Sequence, residues 1–483
     1  MLKLIVICLF VLTSSLCVCE AAENEPRQLS LQESILLAVR KNPNVKISQL
    51  NQVLQKFALE VQEWEFQPHY SFTATHTTSR TYSVTPRGVV TSNVSGAQPA
   101  VSLLTPIGTH MSLTSMNNVT EHYNPQLSLQ VMQPLMKGFG RPVVEAEWYN
   151  ALDSEKVSRL NLKGELINTI TGVINAYLDV LSAKNNLEVD QQALDRGTIS
   201  IQQTKKFIKS GRKAGVELVT VQAGLANVKT RIESDKNNLD QARYALLTTI
   251  GMDPETNVEF SSIDVEKLIK KYHIPTLNES KRMIVENDVQ YQAAQITYEG
   301  TTKRAVTLAE DEARWQLDII LNASTGGGNG GGLNAGINSL VNGVNRTNSA
   351  TVNLVVPIDD RAAKNRIASA KIALKQSELA LQQQKWTIQT NVINGWKNIY
   401  SAERELHFAE DAEKLQLQTY HISSQKYSFG LIDGLELQTA QQELIDSQKA
   451  LVGIKINYLK ALVNLDNLIG MSLKTWGLQV VFF

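Results

Sequence analysis

Gly326, Gly328 and Gly331 carry the Gly-x-Gly-x-x-Gly spacing that, between a strand and a helix, brings backbone amides against the pyrophosphate of a dinucleotide. More Gly, Asn and Ser follow where a phosphate-binding helix should start, so a surface loop is expected. The seven histidines, His69, His76, His110, His122, His273, His407 and His421, offer no i, i+4 pair beside a carboxylate, the spacing that holds zinc on a helix. Cys8, Cys17 and Cys19 are the only thiols, and all lie in the first 19 residues. No nucleophile elbow and no phosphate-binding lysine motif occurs. The sequence therefore predicts no catalytic residue, no cofactor and no metal site; an enzyme is not expected.

Lys and Arg number 47 and so do Asp and Glu, which leaves no bulk attraction to nucleic acid. Lys3, an apolar run from Leu4 to Leu16, and the small residues Ala21 and Ala22 have the order of a secretion leader over residues 1–22. That run is too short to cross a bilayer as a helix. Removal of the leader would take every thiol with it, unless cleavage before Cys17 or Cys19 made a lipidated terminus. No later run of eighteen apolar residues exists, so the exported chain is expected in the periplasm, outside the cell, or in the outer membrane as a barrel.

The elements that must position any site are written twice. Thr171-Gly172-Val173-Ile174-Asn175-Ala176-Tyr177 returns 219 residues later as Thr390-Asn391-Val392-Ile393-Asn394-Gly395-Trp396. Gly211, Gly215, Glu217, Leu218, Thr220, Gln222, Gly251 and Met252 return at the same offset as Gly430, Gly434, Glu436, Leu437, Thr439, Gln441, Gly470 and Met471. Leu31-Gln32-Glu33-Ser34 likewise resembles Leu277-Asn278-Glu279-Ser280. Two repeats are expected, residues 23–252 and 277–472, joined by a connector at 253–276 and followed by a tail at 473–483.

Within each repeat the pattern predicts a front helix, a strand region (about 68–133 and 315–357), a long helix (about 142–210 and 360–429), a glycine turn, and a shorter helix (216–250 and 435–470). Leu166, Ile170, Val173, Tyr177, Val180, Leu187, Leu194, Ile201 and Ile208 mark a heptad seam along the first long helix, interrupted by Lys184, Gln191, Thr198 and Lys205 at seam positions. At about 1.5 Å per residue each long helix runs on the order of 100 Å. In the strand regions Tyr70, Phe72 and Ala74 alternate with Ser71, Thr73 and Thr75, and Val352, Leu354 and Val356 with Asn353, which suits a sheet with lipid on one face and water on the other. The polar stretches Ser79 to Gly96 and Thr325 to Ser349 are expected as surface loops, and Thr105-Pro106-Ile107-Gly108 as a turn that gives the first repeat an additional hairpin. One repeat supplies too few strands to close a barrel, and open edges in lipid leave amides unsatisfied, so association of copies is required.

This order of elements, with Gln133-Pro134-Leu135 before the first long helix and Tyr427-Ser428-Phe429-Gly430 followed by Glu436-Leu437 at the last turn, resembles the TolC or outer-membrane efflux protein family over roughly Leu29 to Ser472. The resemblance implies a mainly α fold with a transmembrane β-barrel portion: a homotrimer whose duplicated antiparallel helices form an α-barrel in the periplasm, with strands contributing to a shared 12-strand barrel in the outer membrane. It implies a passive exit duct of a tripartite efflux or type I secretion system, docked to a periplasmic adaptor protein and an inner-membrane efflux pump or ABC exporter. The docking tips would be the turns at Gly211 and Arg212 and at Gly430 and Leu431, although a left-handed helix end by itself accounts for the glycines.

In the family a Tyr, an Arg and an Asp close the inner end of the tunnel. Tyr427 matches the Tyr, while Ile432 stands for the Arg and Thr439 for the Asp, so that bonded lock does not carry over and the mechanism of the gate stays open, with Tyr427, Asp433, Glu436 and Thr439 expected at the constriction. Three copies of Glu436 around an axis would make a carboxylate ring that favours cations. A solvated glutamate favoured by the positive end of its helix accounts for it equally. The competing reading of the chain is a secreted or periplasmic coiled-coil protein whose strands form a soluble collar.

Overall fold

In the computed structural model residues 27–479 are described, apart from 85–86, 121–122, 263–264, 273 and 328–331. The expected leader with its three cysteines, His122, His273, Gly328 and Gly331 lie outside the described residues.

In chain order the elements of the first repeat are β1 (Arg27–Leu29), α1 (Leu31–Lys41), α2 (Pro43–Trp64), β2 (His69–Val84), β3 (Arg87–Leu104), β4 (His110–Val119), β5 (Tyr123–Pro134), α3 (Arg141–Val144), α4 (Ala146–Lys209) and α5 (Val216–Ile250). A connector of β6 (Val258–Phe260) and α6 (Val265–Lys271) follows. The second repeat holds α7 (Leu277–Asn287), α8 (Val289–Thr297), a π-helical turn at Tyr298–Thr302, α9 (Lys303–Glu312), β7 (Gln316–Gly326), α10 (Leu333–Val341), β8 (Thr347–Val355), α11 (Arg361–Ser428), α12 (Gly434–Leu468) and α13 (Ser472–Thr475).

The repeated Leu-x-Glu-Ser segments begin helices because each carries a reciprocal cap. Ser30 and Thr276 accept the amide of the residue three further on, and Glu33 and Glu279 reach back to the cap amide. The front helix is broken where the sequence pattern predicted one continuous element. Pro43 has no amide to continue α1, and the Asn42 side chain accepts from the amides of Asn44 (2.8 Å) and Val45 (3.3 Å) to start α2. The other end of Asn42 donates to the Thr249 carbonyl at 2.7 Å, and Asn287 donates to the Ile469 carbonyl in the second repeat. Gly251 and Gly470 stand beside these breaks at φ +84° and +70°; a Cβ on either would meet Lys41 and Asn42, or Asn287, at under 3 Å. The recurring Gly-Met therefore marks where the short helix ends against the break in the front helix.

At this level the parallel pair β1–β6, which periodicity did not reveal, joins the chain start to the connector. Tyr177 of α4 is fully buried beneath it, its hydroxyl 2.7 Å from the Ser261 carbonyl and 3.1 Å from that of Leu29. Burial, with Glu33 nearby, pushes this phenol up to about 12 despite the bond to Ser261. The main hydrophobic core surrounds it, from Ile170, Ile174 and Leu178 to Leu246, Ile250, Leu459 and Leu462.

The helices form two rows. On the side of the strands α2 packs on α4, α4 on α8, and α8 and α9 on α11; on the side of the turns α5 packs on α4, α4 on α12, and α12 on α11. With 64 and 68 residues, α4 and α11 run about 96 and 102 Å through both rows.

Six strands make one antiparallel sheet in the order β2-β3-β4-β5-β7-β8. A twelve-strand barrel shared by three copies would take four from each, so the strand number departs from the family pattern. The additional pair lies in the first repeat, whose turn at 105–108 was expected to carry an additional hairpin. Ser79 to Gly96, expected as a loop, is strand instead: Ser79 pairs with Ser92 and Thr81 with Val90, since β-branched Thr and Val hold extended backbone even in polar surroundings. The Gly-rich segment after β7 also differs from expectation, because the helix α10 follows it. No parallel strand accompanies that helix in the six-stranded sheet, so the arrangement is not a dinucleotide fold.

Candidate functional site: the paired helix turns

Each long helix ends in the same backbone device. Gly211 (φ +70°) and Gly430 (φ +80°) turn left-handed, and the next amides, of Arg212 and Leu431, bond back to the carbonyls of Phe207 and Lys426, both at 2.9 Å. Both turns project into solvent, with Arg212 exposed on the first and Phe429 and Leu431 exposed on the second.

Between the turns lies a polar clamp built from both repeats. Lys213 Nζ donates to the carbonyl of Ile432 at 2.7 Å, sits 4.0 Å above the Tyr427 ring, and is 3.7 Å from Glu217 Oε2. Glu217 in turn accepts the amide of Gly434 at 2.7 Å, so a first-repeat carboxylate satisfies an orphan amide at the start of α12. Tyr427 is fully buried; its hydroxyl is 2.6 Å from Thr204 Oγ1, and Phe207 meets its ring edge-on at 6.0 Å. Burial raises its phenol, the bond to Thr204 opposes that, and the carboxylates of Glu217 and Asp433 add to the rise.

The four residues expected at a constriction are thus divided. Tyr427 faces inward between the two helical hairpins. Asp433 caps α12 by accepting the Glu436 amide at 2.8 Å, and Asp433, Glu436 and Thr439 are all exposed near its start. Lys213, Glu217 and Thr204, which complete the clamp, were not singled out from the sequence. The repeat alignment held a signal, since Lys213 and Ile432 are counterparts at the 219-residue offset, as are Glu217 and Glu436.

Farther along the same helices a second polar group ties three of them together. Lys449 of α12 donates to Asp190 of α4 and Asp235 of α5, both at 2.8 Å. Arg231 lies 3.4 Å from Asp190 and donates to Gln442 at 2.6 Å. Asp190 is completely buried, and these cations offset the cost of taking its carboxylate out of water. Nothing in the spacing of these residues marked them. Among the described residues no cluster of His, Cys, Asp and Glu could hold a metal ion.

Comparison with known proteins agrees with this architecture. Residues 311–471 match the family model described as outer membrane efflux protein. No curated protein matches the chain. Among solved structures, the chain is similar to the Campylobacter jejuni CmeC outer membrane channel, at 14% identity and a TM-score of 0.69 over 92% of this chain and 86% of that one. It is similar to the Neisseria gonorrhoeae MtrE outer membrane channel in its open state, at 15% identity and a TM-score of 0.68 over 92% and 89%. The outer membrane protein VceC of Vibrio cholerae gives 13% identity and a TM-score of 0.66 over 91% and 96%. The efflux-protein match thus covers most of the second repeat, and the fold of both repeats is similar to that of these outer membrane channels.

Proposed function

We propose that three copies of this chain form an exit duct that carries substrates passively across the periplasm and outer membrane, as the terminal part of a tripartite efflux or type I secretion assembly. The observation that carries this reading is that each copy is an arc with two open sides, both apolar. On one side α2 exposes Ile47, Leu50, Leu54, Phe57, Val61 and Trp64, a three-four seam with no described partner. On the other α11 exposes Ile372, Leu379 and Trp386 at intervals of seven. Two different faces that need covering, on opposite sides of one copy, are served by head-to-tail association that closes into a ring. Four helices per copy make a ring of twelve; at about 8–10 Å between axes its radius is about 15–19 Å, wide enough for a water-filled bore.

The sheet end supports an outer-membrane location. Tyr70 and Phe72 of β2 and Val352 and Leu354 of β8 are exposed, and a soluble collar would leave them in water. The opposite end presents the paired turns, where Gly211, Arg212, Gly430 and Leu431 are placed to meet a periplasmic adaptor linked to an inner-membrane pump or ABC exporter. The clamp of Lys213, Tyr427 and Glu217 holds the two hairpins together there, and Asp433, Glu436 and Thr439 line the constriction. The expected result is a trimer in outer-membrane fractions that resists SDS at room temperature and conducts ions in planar bilayers. A chain that purifies as a detergent-free soluble monomer would sink the proposal.

A further inference from the structure

The strand number and the side-chain rows of the sheet carry an inference that rests on the trimeric reading and goes beyond it. Following the pairing register across the sheet, Tyr70 of β2 stands beside Val101, then Leu113, Leu129 and Ala323. A parallel row runs Leu103, Met111, Val131, Leu321 and Ala350. Between and below these the other face carries His69, Ser102, Ser112, Gln130, Asn322 and Ser349 in one row, and Ser71, Ala100, Thr114, Ser128, Ser324 and Thr347 in the next. Directly paired residues project from the same face of a sheet, so these rows keep one phase from β2 to β8, although the first ends at Asn348 and the polar face turns apolar at its helix end, where Leu104, His110, Met132, Ile320 and Thr351 pair. A hairpin held outside the barrel, over its surface or in its lumen, has no reason to keep that alternation in phase with the other four strands.

The edges agree. β2 leaves α2 and runs away from the helices, while β8 returns toward α11, so the free edge of β2 and the free edge of β8 are antiparallel to one another. An even number of strands per copy is what lets identical copies join edge to edge in this sense. Strands about 4.8 Å apart and tilted about 40° occupy roughly 38 Å of arc for six and roughly 25 Å for four. Four helices about 8–10 Å apart occupy roughly 32–40 Å, so six strands match the helical arc they continue and four fall short.

We infer that all six strands belong to the membrane wall, that β2 of each copy pairs with β8 of the next, and that the outer-membrane segment is an eighteen-strand barrel. Its backbone radius is about 18 Å, against about 12 Å for twelve strands at the same spacing and tilt. The membrane segment is then no narrower than the helical tunnel, so selection by size falls to the helix turns or the surface loops.

Disulfide trapping tests this in outer membranes, with Cys8, Cys17 and Cys19 replaced by serine. Thr73→Cys on β2 is combined in turn with Thr347→Cys, Ser349→Cys or Thr351→Cys on β8, all on the small polar face. At least one pair is expected to give covalent trimers. As the contrast, Thr114→Cys on β4 is combined with the same three β8 positions and is expected to give none. Trimers trapped through β4 and β8, or intact trimers trapped through neither set, overturn the eighteen-strand barrel while the duct survives. Covalent dimers that go no further overturn it as well. Copies that never associate remove the trimeric reading itself.

Discussion

α4 and α11 are one element written twice, and the two copies have very different surroundings. α4 buries Leu162, Leu166, Ile170, Val173, Ile174, Tyr177, Leu178 and Leu181 along a continuous face, whereas over its 68 residues α11 buries only Ala363, Ile388, Val392, Ile399 and Tyr427. The reason is position: α4 has a helix on either side within the same copy, while α11 stands at the edge. Its apolar residues are present but face outward, Ile372, Leu379 and Trp386 toward the strands and Phe408, Leu415 and Ile422 toward the turns. A duplicated helix that stays apolar on a face its own chain does not cover is what the proposed joint between copies requires.

The largest effect expected from this difference comes from charging the edge. Leu379→Lys with Trp386→Lys puts two ammonium groups into the proposed joint and should abolish trimers, which gel migration and light scattering in detergent would register. Because both positions are exposed in the single copy, its helical circular dichroism should persist; loss of helix along with the trimer would mean that α11 needs those residues internally.

A buried charge in α4 makes the opposite case. Lys449→Ala leaves Asp190 and Asp235 without their shared ammonium, with Arg231 and Arg196 as the cations near Asp190, a change expected to cost about 3–5 kcal/mol. It should lower the urea midpoint of the trimer and of dissociated copies alike, since the pairing lies within one chain. A loss seen only in the trimer would move this group to the joint between copies. Tyr177→Phe is smaller, about 1 kcal/mol, because one hydroxyl bond is lost while the ring stays packed against Phe260. The Ser261 carbonyl then loses this donor, while that of Leu29 keeps the Ser261 amide.

The same contrast explains what the sequence could reveal. Repeats, heptads and alternation follow from contacts that recur every few residues, so the long helices, the glycine turns and the alternating strands were legible. Features made by residues distant along the chain left no period. The β1–β6 pair, the Lys449 group and the Lys213 clamp each join segments that meet only after folding. The polar hairpin from Ser79 to Gly96 reads as a loop in sequence because its strand character comes from Thr and Val pairing across the turn rather than from hydrophobicity. The Asn42–Pro43 break was written in plain residues, and the helical period on either side obscured it.

Glu217 and Glu436 give the finest form of the comparison, one carboxylate written twice with two fates. Glu217 is tied down by the Gly434 amide and by Lys213, whereas Glu436 is exposed and has no ion pair among the described residues. If three copies surround a bore, three Glu436 side chains approach one another there, and their charges attract divalent cations more strongly than any one would. Glu436→Gln keeps the shape and removes the charge, so stability should stay within about 0.5 kcal/mol of the parent. Block of single-channel conductance by divalent cations should weaken, and Glu217→Gln should leave that block alone while loosening the clamp. Equal block in the parent and in Glu436→Gln would return Glu436 to the role of a solvated residue at the positive end of its helix, and the selectivity of the duct would have to be sought elsewhere on α12.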